Sequence, residues 1–300
     1  SHPIRPSFAG LRKGAYLALS SLCLPIPALA QAAAGLPGPE TVIVTASRAS
    51  HDAREVGSAY TSLSREALEA GQILFVRDAL LDVPGVQVSS DRPGALSSVS
   101  IRGSDNDQVL YLIDGIELGD PSAISTSFQS EHLTTLDVAR IEVLRGDQSS
   151  LYGSDAVGGV INILTRRAEA EGVEVHAEAE GGSEDTRAGG LSLLGRRGRL
   201  DYRLTWSGFA SEGPSANDPD TYPAETESDA YERASLSGRA GFALSDSVEL
   251  QAIGFMNAAE TDLDLSFQPN SQDRAEIDEA GLAVQAAQEA AEGGWAHTLT

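Results

Sequence analysis

Along residues 199 to 206, "RLDYRLTW", apolar and polar positions alternate one by one. Leu200, Tyr202, Leu204 and Trp206 share one side of an extended chain, and Asp201, Arg203 and Thr205 share the other. The period of two returns at Ala234, Leu236, Gly238, Ala240, Phe242 and Leu244, set against Arg233, Ser235, Ser237 and Arg239. It returns again at Val248, Leu250, Ala252 and Gly254, and at Ala280, Leu282, Val284 and Ala286. From about Glu171 onward this pattern predicts antiparallel strands, about six of them, with part of a seventh in "WAHTLT". A sheet apolar on one face fits a soluble sandwich, whose apolar faces meet, or a membrane barrel, apolar outward and polar inward. Connection lengths favour the barrel. The turns at 196–199, 245–247 and 289–294 are short, whereas 210–229 and 259–275 read as long, acidic, polar loops. Outer-membrane barrels combine short periplasmic turns with longer external loops. Seven strands cannot close a barrel, and an open edge is not tolerated in lipid, so the chain reads as the N-terminal part of a longer protein.

Residues 50–167 follow a different pattern and predict a compact mixed α/β domain. "SREALEA", capped at Ser64, and "LFVRDALLDVPGV", stopped before Pro84, predict two short helices. Strand-like pieces follow in "VQVSS", "SVSIRG", "VLYLIDGIEL", "RIEVLRG" and "GVINILTRR". Gly103, Gly115, Gly146, Gly153, Gly158 and Gly159 punctuate them, which marks tight turns and close backbone approach.

The N-terminal residues are of a third kind. Arg5, Arg12 and Lys13 precede an apolar run from Ala15 to Leu24 and the small residues of "PALA", the layout of a secretory signal peptide over residues 1–30. Residues 31–49 follow, with the β-branched run of "PETVIVTASR" isolated between a Pro-Gly-Pro stretch and a polar segment. The single cysteine, Cys23, lies in the leader, so the mature chain has neither a disulfide framework nor a thiolate metal site. Net charge is −23, from 44 acidic and 21 basic residues, which argues against nucleic-acid binding. No mature stretch is apolar for the roughly twenty residues of a membrane helix. Enzyme readings find no support. The five histidines, His2, His51, His132, His176 and His297, show no paired metal spacing, and "YGSDAVGG" lacks a nucleophile elbow.

Taken together, the leader, the isolated "ETVIVTA", the domain with "SIRG", "LIDG" and "RIEVLRGDQSSLYGSDAVGGVINILTRR", and the strands that follow resemble TonB-dependent outer-membrane transporters. The resemblance covers essentially the whole chain, and Arg140 to Thr165 is its most specific part. Asp147 departs from it, standing where the family most often has proline. The resemblance implies a plug domain at 50–167 inside a transmembrane barrel of 22 strands, whose first strands occupy 168–300. It implies a multi-pass, monomeric protein of the bacterial outer membrane that imports a scarce nutrient, with no catalytic residues. It also implies a partner, TonB with its inner-membrane energising complex, which pulls on the plug. Glu40, Thr41, Val42, Ile43, Val44, Thr45 and Ala46 then form the TonB box, an unpaired segment open to capture by strand addition. In the family, arginines such as Arg102 and Arg145 pair with barrel carboxylates.

Within the family the wording is most similar to cobalamin receptors, with ferric-siderophore receptors as the alternative. Outside the family, a passive or adhesin-type barrel stays open. By resemblance Leu96, Ser98, Asp105, Ala123 and Ile124 are substrate contacts. Calcium, which takes six to eight oxygen ligands from flexible loops, is expected in two external loops. Its ligands there would be Glu225, Glu227 and Asp229 in one, and Asp264 and Asp273 in the other.

Overall fold

A computed structural model describes residues 59–89, 97–118, 133–213, 229–265, 268–288 and 297–299. The signal peptide (1–30), the TonB box (40–46), Leu96, Ala123, Ile124, Glu225 and Glu227 lie outside the described residues.

The plug is built on a five-stranded sheet. Its strands are β1 (Ala59–Ser64), β4 (Val109–Ile113), β5 (Ile116–Leu118), β6 (Val138–Arg145) and β7 (Gly159–Thr165), ordered β1-β6-β7-β4-β5. Only β4 and β7 run parallel. A ribbon of β2 (Val86–Ser89) and β3 (Ser98–Ile101) and two helices, α1 (Arg65–Ala70) and α2 (Val76–Leu81), complete it. Ser64 caps α1 as expected, its hydroxyl accepting from Ala67 N at 3.4 Å. Val76, Ala79 and Leu80 of α2 are buried against Ile101, Ile141, Val143 and Ile161. Each such aliphatic side chain contributes roughly 1.5–3 kcal/mol by leaving water. β1, which the sequence pattern does not predict, zips along β6 from Ala59↔Arg145 to Ser64↔Arg140. The β4–β5 hairpin turns on Asp114 and Gly115, both at positive φ (49° and 82°), the conformation a two-residue Asp-Gly turn favours.

Seven strands of a meander follow: β8 (Gly172–Gly181), β9 (Arg187–Arg197), β10 (Leu200–Ser211), β11 (Tyr231–Ser245), β12 (Val248–Leu265), β13 (Gln268–Gln288) and β14 (His297–Leu299). Register lays the alternating positions in rows. Leu204, Gly238, Gly254 and Leu282 align across four strands on one face, and Arg203, Arg239, Ile253 and Ala283 align on the other. The first face is open: Leu204 is 51% exposed, Leu282 81% and Val284 52%. The second packs on the plug, with Arg203, Thr205, Ser207, Arg239 and Gln251 all buried. This is a membrane-barrel arrangement, apolar outside and polar inside. Along β12 the outward positions are apolar from Val248 to Ala258 and turn to carboxylate at Glu260. That span is about 33 Å of strand, or about 25 Å along the membrane normal at the usual tilt, the height of an outer-membrane apolar band.

One expectation is corrected. Residues 259–275 are not a long loop. β12 and β13 run on as a hairpin of 18- and 21-residue strands, paired to Leu265↔Gln268. The two strands satisfy each other's backbone groups, so polar side chains there do not exclude a strand. Arg274 ties the hairpin together across its strands, reaching Glu260 at 2.8 Å and Asp262 at 3.0 Å. Among the described residues no helix is long and apolar enough to cross a membrane, which says nothing about strands.

The outward assignment of Leu282 is open to test. Leu282→Lys in the full-length receptor should destabilise the folded barrel by about 2–4 kcal/mol, because the charge would sit within the apolar band. Denaturant unfolding from lipid vesicles measures this, and an unchanged midpoint would contradict a lipid-facing position.

Candidate functional site: the seam between plug and barrel wall

The polar inward face of the sheet meets the plug along a seam of charges. Arg203 on β10 and Arg239 on β11 are direct cross-strand partners. Two like charges so placed repel, and both side chains are almost fully buried. Carboxylates from the plug lie against them. Asp137, just before β6, pairs with Arg203 and accepts a hydrogen bond from Ser237 Oγ at 2.9 Å. Asp114, at the β4–β5 turn, lies 3.8 Å from Arg239 Nε. Its two oxygens accept Thr165 N at 2.9 Å and Thr165 Oγ1 at 2.5 Å, which fixes the carboxylate in place. Arg239 also pairs with Asp201 on its own wall and reaches Glu249 at 2.7 Å. Gln251 accepts from Arg239 Nη2 at 2.8 Å and donates to the Asp114 carbonyl at 3.4 Å, joining wall and plug.

Above this charged layer the contact becomes aromatic. Phe75, at the start of α2, packs edge-on against Phe209 with centroids 5.0 Å apart, and Phe209 meets Tyr231 at 5.7 Å. Arg233 lies over the Phe75 ring at 5.9 Å. Between the two layers is a cavity of about 40 Å³, lined by Asp137, Arg203, Arg233, Ser235 and Asn257 among others. The Nε atoms of Arg203 and Arg233 have no hydrogen-bond partner among the described residues. A polar cavity of this size has room for water, which needs about 10–15 Å³ per molecule.

Arg65, the first residue of α1, reaches Glu178 of β8 at 3.4 Å and donates to Thr135 O at 2.6 Å. Among the described residues, plug cations therefore reach barrel carboxylates at Arg65 and at Arg167, which lies 3.8 Å from Glu249 of β12. Arg145 turns inward to its own domain instead. It donates to Tyr60 O at 3.2 Å, to Thr61 Oγ1 at 2.9 Å and to Pro84 O, fastening β1 to the rest of the plug. Arg102 is exposed at φ 54°, its backbone N–H bonded to Gly85 O at 2.8 Å, and makes no ion pair among the described residues. Arg102 sits on the turn after β3 and Arg145 at the C-terminal end of β6, whereas Asp114 and Asp137 sit where the plug chain approaches the wall.

Of the expected substrate contacts, Ser98 is exposed at one end of β3, while Asp105 lies past the other end. Asp105 caps a single 3₁₀ turn, Asn106–Gln108, and its own N–H bonds to Gln108 Oε1 at 3.3 Å. The structure does not bring these two together. Asp229 is 8% exposed at the foot of β11. Asp264 and Asp273 are strand residues of the β12–β13 hairpin rather than loop residues. Among the described residues no three potential ligands cluster for a metal ion. Asp147, the departure from the family pattern, has a local role. Its carboxylate accepts Ser149 N at 2.9 Å at the head of the helical turn Ser149–Tyr152, α3. Hydrogen bonding to Ser149 holds its pKa below the ordinary carboxylate value.

The seam predicts a strong coupling. Asp137→Asn in the full-length receptor would leave Arg203 buried beside Arg239 and cost about 3–5 kcal/mol. The double variant D137N/R203Q should recover most of that loss. Chemical denaturation in detergent checks both, and additive losses would refute the coupling.

The comparisons with known proteins agree with this architecture. The family described as TonB-dependent Receptor Plug Domain matches residues 52–160. The vitamin B12 transporter BtuB of Photobacterium profundum is 30% identical over 263 residues, covering 87% of this chain. BtuB of Vibrio cholerae is 37% identical over 194 residues, covering 63% of this chain. The chain spans 42% of the first relative's length and 31% of the second's. Among solved structures, the alcaligin outer membrane receptor FauA of Bordetella pertussis superposes with a TM-score of 0.62. It is 17% identical and covers 81% of this chain and 38% of that one. The siderophore receptor PirA of Acinetobacter baumannii gives 0.57 at 19% identity, covering 76% and 37%. These likenesses to solved structures show the fold. With a matched plug domain, a barrel-type sheet around it and transporters of this kind as sequence relatives, the chain belongs to the TonB-dependent receptors of the bacterial outer membrane.

Proposed function

We propose that this chain is the N-terminal part of a TonB-dependent importer of cobalamin. The observation that carries the substrate is the likeness to vitamin B12 transporters, which extends over both the plug and the first strands, 263 residues in all. The seam supports active import. A plug held to the wall by buried ion pairs blocks the lumen at rest, and displacing it must break those pairs, the aromatic contact and the plug–wall hydrogen bonds together. Thermal motion rarely supplies that, so passage requires work from outside the barrel. Residues 40–46 offer the place to apply it. Their β-branched sequence favours an extended backbone, which could add as a strand to TonB, itself drawing on the inner-membrane proton gradient. The cobalamin would rest on the plug's external tips, at Leu96, Ser98, Asp105, Ala123 and Ile124. Calcium held by Glu225, Glu227, Asp229, Asp264 and Asp273 would order the external segments around it, hard carboxylates suiting that ion. The receptor acts as a monomer, with outer-membrane lipid around it and no catalytic chemistry of its own.

Cells carrying the full-length gene should take up radiolabelled cobalamin, and Val44→Pro should abolish energy-dependent uptake, because proline removes a backbone donor needed for strand addition. Undiminished uptake by that variant would refute the box. A wild type that neither binds nor imports cobalamin but restores growth on an iron-loaded chelate would move the substrate to a ferric siderophore. Calcium added to the purified receptor should tighten cobalamin binding, and indifference to calcium would reject the external carboxylate site.

A further inference from the structure

The two edges of the apolar band carry opposite charge. At the end where Glu232, Glu260 and Glu276 align across β11, β12 and β13, the outward row is acidic. At the other end, the β9–β10 turn holds Arg196, Arg197 and Arg199 within four residues. Arg197 is the direct partner of Leu200 and shares its outward face, at the last row of the apolar band beside Phe242 and Leu250. Arg199 stands in the turn itself, its Nη1 donating to Leu244 O at 2.9 Å. All three arginines are exposed, and none makes an ion pair among the described residues. That is unusual in a chain with 44 acidic and 21 basic residues. Arg196 belongs to the inward face, opposite Asp201, its direct cross-strand partner; Glu171 accepts Gly198 N at 2.8 Å, and Asp246 lies on the neighbouring turn. Arg197, on the outward face, and Arg199, in the turn, are left as the cations of this edge.

The geometry points to this edge as a docking rim for the phosphates of anionic phospholipid. Three further observations fix the occupant. Short connections at 198–199 and 246–247, against the 19-residue connection 212–230 and the strands that run on past Glu260 at the other end, mark this end as periplasmic, where the neighbouring leaflet is phospholipid. The band above the arginines has the height of the hydrocarbon layer, which brings them level with lipid headgroups. Arginine can lay its aliphatic stem along apolar surface while its planar head takes two phosphate oxygens at once. Lys or Arg near an anionic membrane surface each adds about 1 kcal/mol of attraction, or roughly a five-fold preference. The rim therefore fixes the depth and tilt of the strands in the membrane, independently of what the receptor carries.

Spin-labelled phosphatidylglycerol and phosphatidylcholine, introduced around the full-length receptor in nanodiscs, would measure the preference. The wild type should favour the anionic lipid, and the preference should fall as salt rises. R197Q should lose roughly five-fold, and R197Q/R199Q more, while R274Q at the opposite edge should lose nothing. Heat-modifiable migration on gels confirms that each variant remains folded. An unchanged preference in the double variant overturns the rim, as does an equal loss in R274Q. Competition by millimolar inorganic phosphate would instead reveal a site for the free ion and overturn the lipid assignment. Because the measurement uses no transported substrate, its failure is distinct from failure of the cobalamin reading.

Discussion

Two arginines facing each other across adjacent strands, Arg203 and Arg239, set the terms for how this plug and wall fit together. Neither reaches bulk water, and their mutual repulsion must be answered locally. The wall supplies part of the answer in Asp201 and Glu249, and the plug supplies the rest in Asp137 and Asp114. The plug is therefore a component of the wall's electrostatics rather than a loose stopper. Removing one carboxylate exposes the problem it solved.

A buried ion pair is a poor source of net stability, because desolvation offsets most of its attraction. Its value here is in specifying position. Asp114 is held by Thr165 and by a turn whose backbone only a few residue types tolerate, so its carboxylate arrives at one place. Hydrophobic contact alone would allow the plug to slide along the lumen. The aromatic contact of Phe75 with Phe209 adds grip, and the ion pairs fix the register.

Much of the fold was legible from local pattern. The period-two rows of β10, β11, β12 and β13 gave each residue its face, and the burial of Arg203 with the exposure of Leu204 follows directly. Ser64, the stop before Pro84 and the Asp114-Gly115 turn were equally plain, because capping and turn chemistry act within four residues. The strand β1 was missed because "AYTSLS" has no apolar face of its own, and pairing with β6 alone defines it. The loop expected at 259–275 was misread because polar composition resembles a loop wherever a strand has left the membrane.

The candidate site divides the same way. Sequence alone determined the chemistry of the parts: which face is polar, that arginines punctuate it, and that glycines mark the turns of the plug. It could not determine who meets whom. Among the described residues Arg65 and Arg167, not Arg145, reach the barrel wall, and Asp137 meets an arginine that follows it by 66 positions. Those partnerships arise because a sheet wraps one domain around another, and the distance between two charges is then set by the curvature and register of strands remote in the chain. A periodicity carries no record of that distance, and only the folded arrangement decides it.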